Sequence, residues 1–148
     1  MENMIERYAI AFKEENYPPI AGKILGLFLI SNQEHFTFEE LMEGVSASKS
    51  ATSKALKFLI EKGEVNYNVF KGSKRKRHFH LDIQGGIDRI KRLIDGYKMQ
   101  NQLWKETLAL RNQDNIQLNN FLIDNINFSD EHIQYIDKTI KKYFDKSI

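Results

Sequence analysis

Two groups of residues in this chain have types and spacings that could do chemistry, and both are cationic. Lys49, Ser50, Ser53, Lys54 and Lys57 recur at three- and four-residue steps, the spacing that gathers side chains on one helix face. Lys71, Ser73, Lys74, Arg75, Lys76 and Arg77 crowd a short run around Gly72. Ammonium and guanidinium groups bind phosphate oxygens, and small hydroxyls approach base edges without bulk. Ser48 precedes the first group and suits a helix N-cap, so partial positive charge from the helix end points the same way. Such chemistry binds a polyanion and turns nothing over.

Other candidates for chemistry are weaker. His78 and His80 lie two apart on one strand face, the spacing of a metal pair, but no cysteine is near and acidic partners are few. A solvated strand face beside phosphate is the preferred reading. His35 and His132 stand alone and read as surface or cap positions. Asp82 and Asp88 straddle a strand break and form no acid and base pair. Gly85-Gly86 lacks the following Lys-Ser/Thr of a phosphate loop and reads as a hinge. No credible nucleophile–base pair, metal cluster or cofactor motif is present, so neither an enzyme, nor a metal, nor a cofactor is expected.

Charge distribution supports the polyanion. The chain has 148 residues, 22 Lys+Arg and 20 Asp+Glu. Residues 49–92 hold twelve basic and four acidic side chains, a net of +8, while the rest carries −6. A basic middle between acidic flanks is the footprint of a polyanion site. Zero Cys excludes disulfides, zinc fingers and thiol catalysis and fits a reducing compartment. Hydrophobic residues make up 41%, enough for a core. The charged start is unlike a signal peptide, and the apolar stretch Ile20 to Ile30 is too short to span a bilayer. A soluble, cytoplasmic protein without a membrane partner is the expectation.

The elements that must position these residues can be read in order. Residues 2–16 form an amphipathic helix that Tyr17-Pro18-Pro19 ends. Residues 19–31 form a helix apolar nearly all round, with Gly22 and Gly26 permitting close approach of a neighbour. Thr37 and Glu40 make a capping box for a short helix over 38–44. After a turn, Ser48 caps a helix over 49–62 that Gly63 ends. Its inner face is Thr52, Ala55, Leu56, Leu59 and Ile60. The period then becomes two: Val65, Tyr67 and Val69, a charged turn, then Phe79, Leu81 and Ile83, a hairpin with a longer loop. Gly85-Gly86 breaks the second strand. A helix starts near Ile87 and runs either to about Asn112 or on to about Asn127. Ser129 caps a last helix over 130–145.

Helix, turn, helix and basic-tipped hairpin in that order make a winged helix-turn-helix. The fold class is mainly α (α+β). The stretch from Pro18 to Leu81 also resembles the MarR superfamily of winged-helix transcriptional regulators, and within it the GbsR-like subgroup. The resemblance is carried by Pro18, Gly22, Ile24, Leu25, Gly26 and Leu27, by Phe38 to Met42, by Ser48 to Gly63, and by the wing Gly72 to His80. It implies a homodimer built by N- and C-terminal helices, acting on a pseudo-palindromic double-stranded DNA operator. A small-molecule effector is a further expectation of that resemblance, without an assigned residue.

The expected organisation is a dimerisation helix over 1–17, a DNA-binding domain over 18–84 and a helical dimerisation region over 85–148. The DNA-binding set is Ser48, Lys49, Ser50, Ser53, Lys54, Lys57, Lys71, Ser73, Lys74, Arg75, Lys76 and Arg77. The seam Ile87, Ile90, Ile94, Tyr97, Asn101, Trp104, Leu108 is close to a heptad pattern. With Tyr8 and Phe12, its members Ile90, Ile94, Tyr97, Trp104 and Leu108 form the expected dimer interface. Tyr8, Phe12, Tyr97 and Trp104 could instead line a cage for a quaternary ammonium ligand, but helical aromatic stripes more often pack. The expected function is a homodimeric, sequence-specific transcriptional repressor. The rival reading is a winged-helix module for protein–protein contact without DNA binding.

Overall fold

The computed structural model describes residues 2–70, 72 and 75–145. The elements run α1 (Glu2–Lys13), α2 (Pro19–Ile30), α3 (Phe38–Gly44), α4 (Lys49–Glu61), β1 (Val65–Val69), β2 (Arg77–Leu81), α5 (Ile83–Leu110) and α6 (Ile116–Phe144). Contacts divide the chain into two units, Met1–Gly86 and Ile87–Ile148.

The first unit is built around α2. Pro19 starts that helix, where its missing N–H costs nothing. Ala21, Ile24, Leu25, Leu27 and Phe28 are buried, as the all-round apolar sequence requires. Gly22 and Gly26 let α1 lie close: a Cβ at Gly22 would come 2.9 Å from the Ala9 Cα, and one at Gly26 would come 2.8 Å from the Tyr8 Cβ. α1 ends at Lys13, earlier than the expected residue 16, because Asn16 turns into the left-handed region at φ +65°. The chain then enters the core at Tyr17. Its ring stacks on Phe12 at 5.2 Å and meets Phe58 edge-on at 5.3 Å. Its hydroxyl donates to the Glu64 carboxylate at 2.6 Å, inside the protein.

The capping box of α3 is present: Thr37 accepts from the Glu40 N–H, and Glu40 accepts from the Thr37 N–H. Ser48 caps α4 by accepting from the Ala51 N–H at 3.1 Å. The hairpin is antiparallel, with Val65 opposite Leu81, Tyr67 opposite Phe79 and Val69 opposite Arg77. Phe79 is buried, and its other edge pairs with Phe36 through two backbone hydrogen bonds of 2.8 and 2.9 Å. The segment before α3 is thereby a third, one-residue strand against the hairpin.

Two expectations fail at the end of this unit. Ile83 is not in the second strand, and Gly85-Gly86 is neither a strand break nor a helix boundary: α5 already begins at Ile83. The Asp82 carboxylate accepts from the Gly85 N–H at 2.8 Å and so starts the helix earlier than its apolar period suggests. Gly85 serves a close contact. A Cβ there would fall 1.7 Å from the Gly63 carbonyl oxygen.

The second unit pairs α5 with α6. α5 ends at Leu110, the shorter of the two expected outcomes. Asn115 then caps α6 by accepting from the Leu118 N–H at 3.0 Å. Ile94 and Asn101 of α5 are buried with Asn119, Leu122, Ile126 and Ile140 of α6. Lys91 of α5 pairs with Asp145 at the C-cap of α6, and Lys98 and Lys105 pair with Asp137 and Asp130 of α6, so the helices run antiparallel. The expected last helix over 130–145 is corrected: Ser129 caps nothing, and α6 passes through it unbroken. Asp130, the first residue of that expected helix, instead accepts from Asn101 at 2.7 Å and Lys105 at 2.9 Å. A tertiary contact, not a helix end, explains the acidic residue.

Candidate nucleic-acid interface

The two faces of α4 separate as the sequence period predicts. Thr52, Ala55, Leu56 and Leu59 are buried on the inner face. Thr52 spends its hydroxyl on the Ser48 carbonyl at 2.9 Å, so this buried polar group is satisfied. Ser48, Lys49, Ser50, Ser53, Lys54 and Lys57 are all exposed. The capped N-terminus therefore sits beside two hydroxyls and a row of ammonium groups.

Beyond α4 rises the hairpin. Arg75, Lys76 and Arg77 are exposed at its tip and second strand. Arg75 takes a left-handed backbone at φ +63°, uncommon for a non-glycine residue. Lys71, Ser73 and Lys74 lie outside the described residues. Arg77 lays its guanidinium over the Tyr67 ring, 4.7 Å from the centroid.

An open groove of about 420 Å³ separates helix from hairpin. Ser53 and Lys57 line one wall, Tyr67, Arg77 and Phe79 the other, and Leu56 the floor. The structure thus brings together residues that the sequence placed in two separate lists. Sequence reasoning missed Tyr67, the platform for Arg77. Strand alternation already put both on one side of the hairpin, and that signal was available.

The expected interface residues are placed differently from one another. Tyr8 and Phe12 are half-buried in the first unit, stacked on each other at 6.1 Å. In the second unit Ile94 is buried, Ile90, Trp104 and Leu108 are half-buried, and Tyr97 is exposed. A cavity of about 240 Å³ there is lined by Tyr97, Trp104, Phe128 and His132, among others. Among the described residues no group of three His, Cys, Asp or Glu is placed to hold a metal ion. No helix of the described residues is long and apolar enough to cross a membrane.

No protein-family model matches the chain, and no curated protein matches it by sequence. Solved structures do. One, described as a transcriptional regulator, aligns over 97% of this chain and 97% of its own at a TM-score of 0.63 and 20% identity. The chain has a winged helix-turn-helix fold. Weaker likenesses are apo MarR from E. coli, at 18% identity over 84% of this chain and 87% of that one with a TM-score of 0.45, and an S. aureus MepR–DNA complex, at 16% identity over 68% and 86% with a TM-score of 0.44. In the winged helix-turn-helix, α3 and α4 are the helix pair and β1–β2 is the wing.

Proposed function

We propose that this chain is a homodimeric, sequence-specific DNA-binding transcriptional regulator of the MarR superfamily, GbsR-like in its winged region, and that it acts as a repressor. One observation carries the reading. From Lys49 to Lys57 the exposed residues of α4 are small hydroxyls and lysines, Glu61 is the one acid at the far end of the helix, and Arg77 lines the same groove. A helix with such a face fits a major groove, where Lys49, Ser50, Ser53 and Lys54 reach bases or neighbouring phosphates and Lys57 holds backbone. Arg75, Lys76 and Arg77, with Lys71, Ser73 and Lys74, take the flanking backbone or minor groove.

The dimer rests on the N-terminal helix, with Tyr8 and Phe12, and on the second unit, with Ile90, Ile94, Tyr97, Trp104 and Leu108. Leu93, Leu103, Phe121, Phe128 and Tyr135 are each more than half exposed there, which is an unusual apolar surface for two helices. In this reading residues 1–17 and 85–148 set the spacing of the half-sites, residues 18–84 bind DNA, and a small-molecule effector alters that spacing. The protein works in the cytoplasm.

Fluorescence anisotropy tests the reading, using duplex from upstream of the protein's own gene and a scrambled duplex at low and physiological salt. Tight, salt-sensitive binding that prefers the upstream duplex supports it. No binding at low salt overturns it in favour of a protein–protein module.

A further inference from the structure

We propose that His35 and His80 form a two-imidazole site for a divalent transition-metal cation of the Ni²⁺, Cu²⁺ or Zn²⁺ kind. The site stands apart from the DNA reading and does not depend on it. His80 lies on β2, and His35 lies on the segment joining α2 to α3. The Phe36–Phe79 bridge locks these segments together through paired hydrogen bonds. In an antiparallel register the next rung sets residue 35 opposite residue 80. That rung follows a hydrogen-bonded pair, so it is of the closer kind, with side chains nearest one another. Phe36 and Phe79 turn inward and are buried, which sends both histidines to the opposite face.

The ring geometry fits a shared metal. The two imidazole centroids are 5.4 Å apart, with ring planes at 60°. An imidazole nitrogen binds at about 2.0–2.1 Å, so two rings on one tetrahedral ion have centroids roughly 5.2 Å apart. The observed separation lies close to that value. His80 is also prepared as a ligand. Its Nδ1 lies 3.0 Å from the Leu81 carbonyl oxygen. A carbonyl only accepts, so this contact favours the tautomer with the proton on Nδ1, the one that offers Nε2 to a metal. A backbone carbonyl that holds the tautomer and ring orientation is the usual support of a metal-binding histidine.

His78 does not join the pair. It packs on the far side of Phe70, whose ring lies 5.0 Å from His78 and 5.8 Å from His35. The chain therefore supplies two ligands and leaves the others to water. Imidazole ligands select the later first-row metals over Mg²⁺ and Ca²⁺. The partner of His80 is thus His35, distant in sequence, and not His78.

Cu²⁺ added to the full chain without a histidine tag is the probe. Calorimetry should show a stoichiometric complex, and electron paramagnetic resonance should show splitting from two imidazole nitrogens. His35→Gln and His80→Gln should each weaken binding at least about tenfold, the scale on which even supporting groups act. His78→Gln and His132→Gln should leave it unchanged. Absence of binding, a single-nitrogen spectrum, or undiminished binding by the His35→Gln/His80→Gln double variant overturns the proposal. A single-nitrogen spectrum on the wild-type chain overturns the pair even where a variant fails to fold.

Discussion

Arg77 and Tyr67 are diagonal neighbours on the hairpin, and the guanidinium rests on the ring 4.7 Å from its centroid. The stacking holds the cation at the mouth of the groove, opposite Ser53 and Lys57 of α4. A free arginine would sample many rotamers and lose entropy on docking; a stacked one has lost much of it already. On the proposed function, Arg77→Ala should weaken binding to every duplex alike. It should also reduce the slope of log affinity against log salt by about 0.9 for each phosphate contact removed. Tyr67→Leu, which leaves the charge and removes the platform, should weaken binding with the slope kept. Anisotropy titrations at several salt concentrations separate the two.

The exposed face of α4 should behave differently. Ser50→Ala and Lys54→Ala should alter which sequences bind, with a loss of about 1–3 kcal/mol of discrimination per base contact. Competition between operator and scrambled duplex measures this. Unchanged preference in both variants would exclude the proposed docking of α4.

Adjacent glycines at the start of α5 should give opposite results. At Gly85 a Cβ would collide with the Gly63 carbonyl oxygen, whereas at Gly86 it would meet nothing within 4 Å. Gly85→Ala should cost about 3 kcal/mol or more, in the severe range for one substitution. Gly86→Ala should stabilise by about 0.5–1 kcal/mol through helix propensity and a less free unfolded chain. Urea unfolding of the two variants tests the contrast.

Tyr17→Phe removes one hydroxyl and keeps the ring packing against Phe12 and Phe58. The buried Glu64 carboxylate then loses its 2.6 Å donor. The expected loss is about 1–3 kcal/mol, read as a lower thermal midpoint.

Asp130 gives a pH signature. The Lys105 ammonium, then the Asn101 amide, both bonded to the carboxylate, hold its pKa below the ordinary value of 3.8, against a smaller opposing effect of desolvation. A depressed folded pKa adds stability above the unfolded value, and that contribution fades as pH falls through the lowered folded value. The stability gap between wild type and Asp130→Asn should therefore be present at neutral pH and close in strong acid. Denaturant midpoints measured across that range check the sign.

Local chemistry was legible in the sequence where it acts over a few residues. The Thr37–Glu40 box, the Ser48 cap and the two-residue alternation of the hairpin strands need only near neighbours, and each is in the structure. Ser129 and Gly85-Gly86 misled because distant residues decide their roles. Asp130 answers to Asn101 and Lys105 on the other helix, and Gly85 answers to Gly63. For the candidate site, the period of α4 and the charge of the wing tip named the residues. Their juxtaposition across a groove, and the rung that sets His35 beside His80, needed the tertiary fold.

Lys91, Lys98 and Lys105 recur every seven residues, and their partners Asp145, Asp137 and Asp130 follow at steps of eight and seven along the opposing helix and its C-cap. Exposed pairs of this kind each contribute little stability, so their weight lies in the shared offset. Deleting one residue from either helix would rotate everything beyond it by about 100° and carry those charges off the seam. A change in length within either helix therefore keeps these pairs facing one another only if the other helix shifts to match.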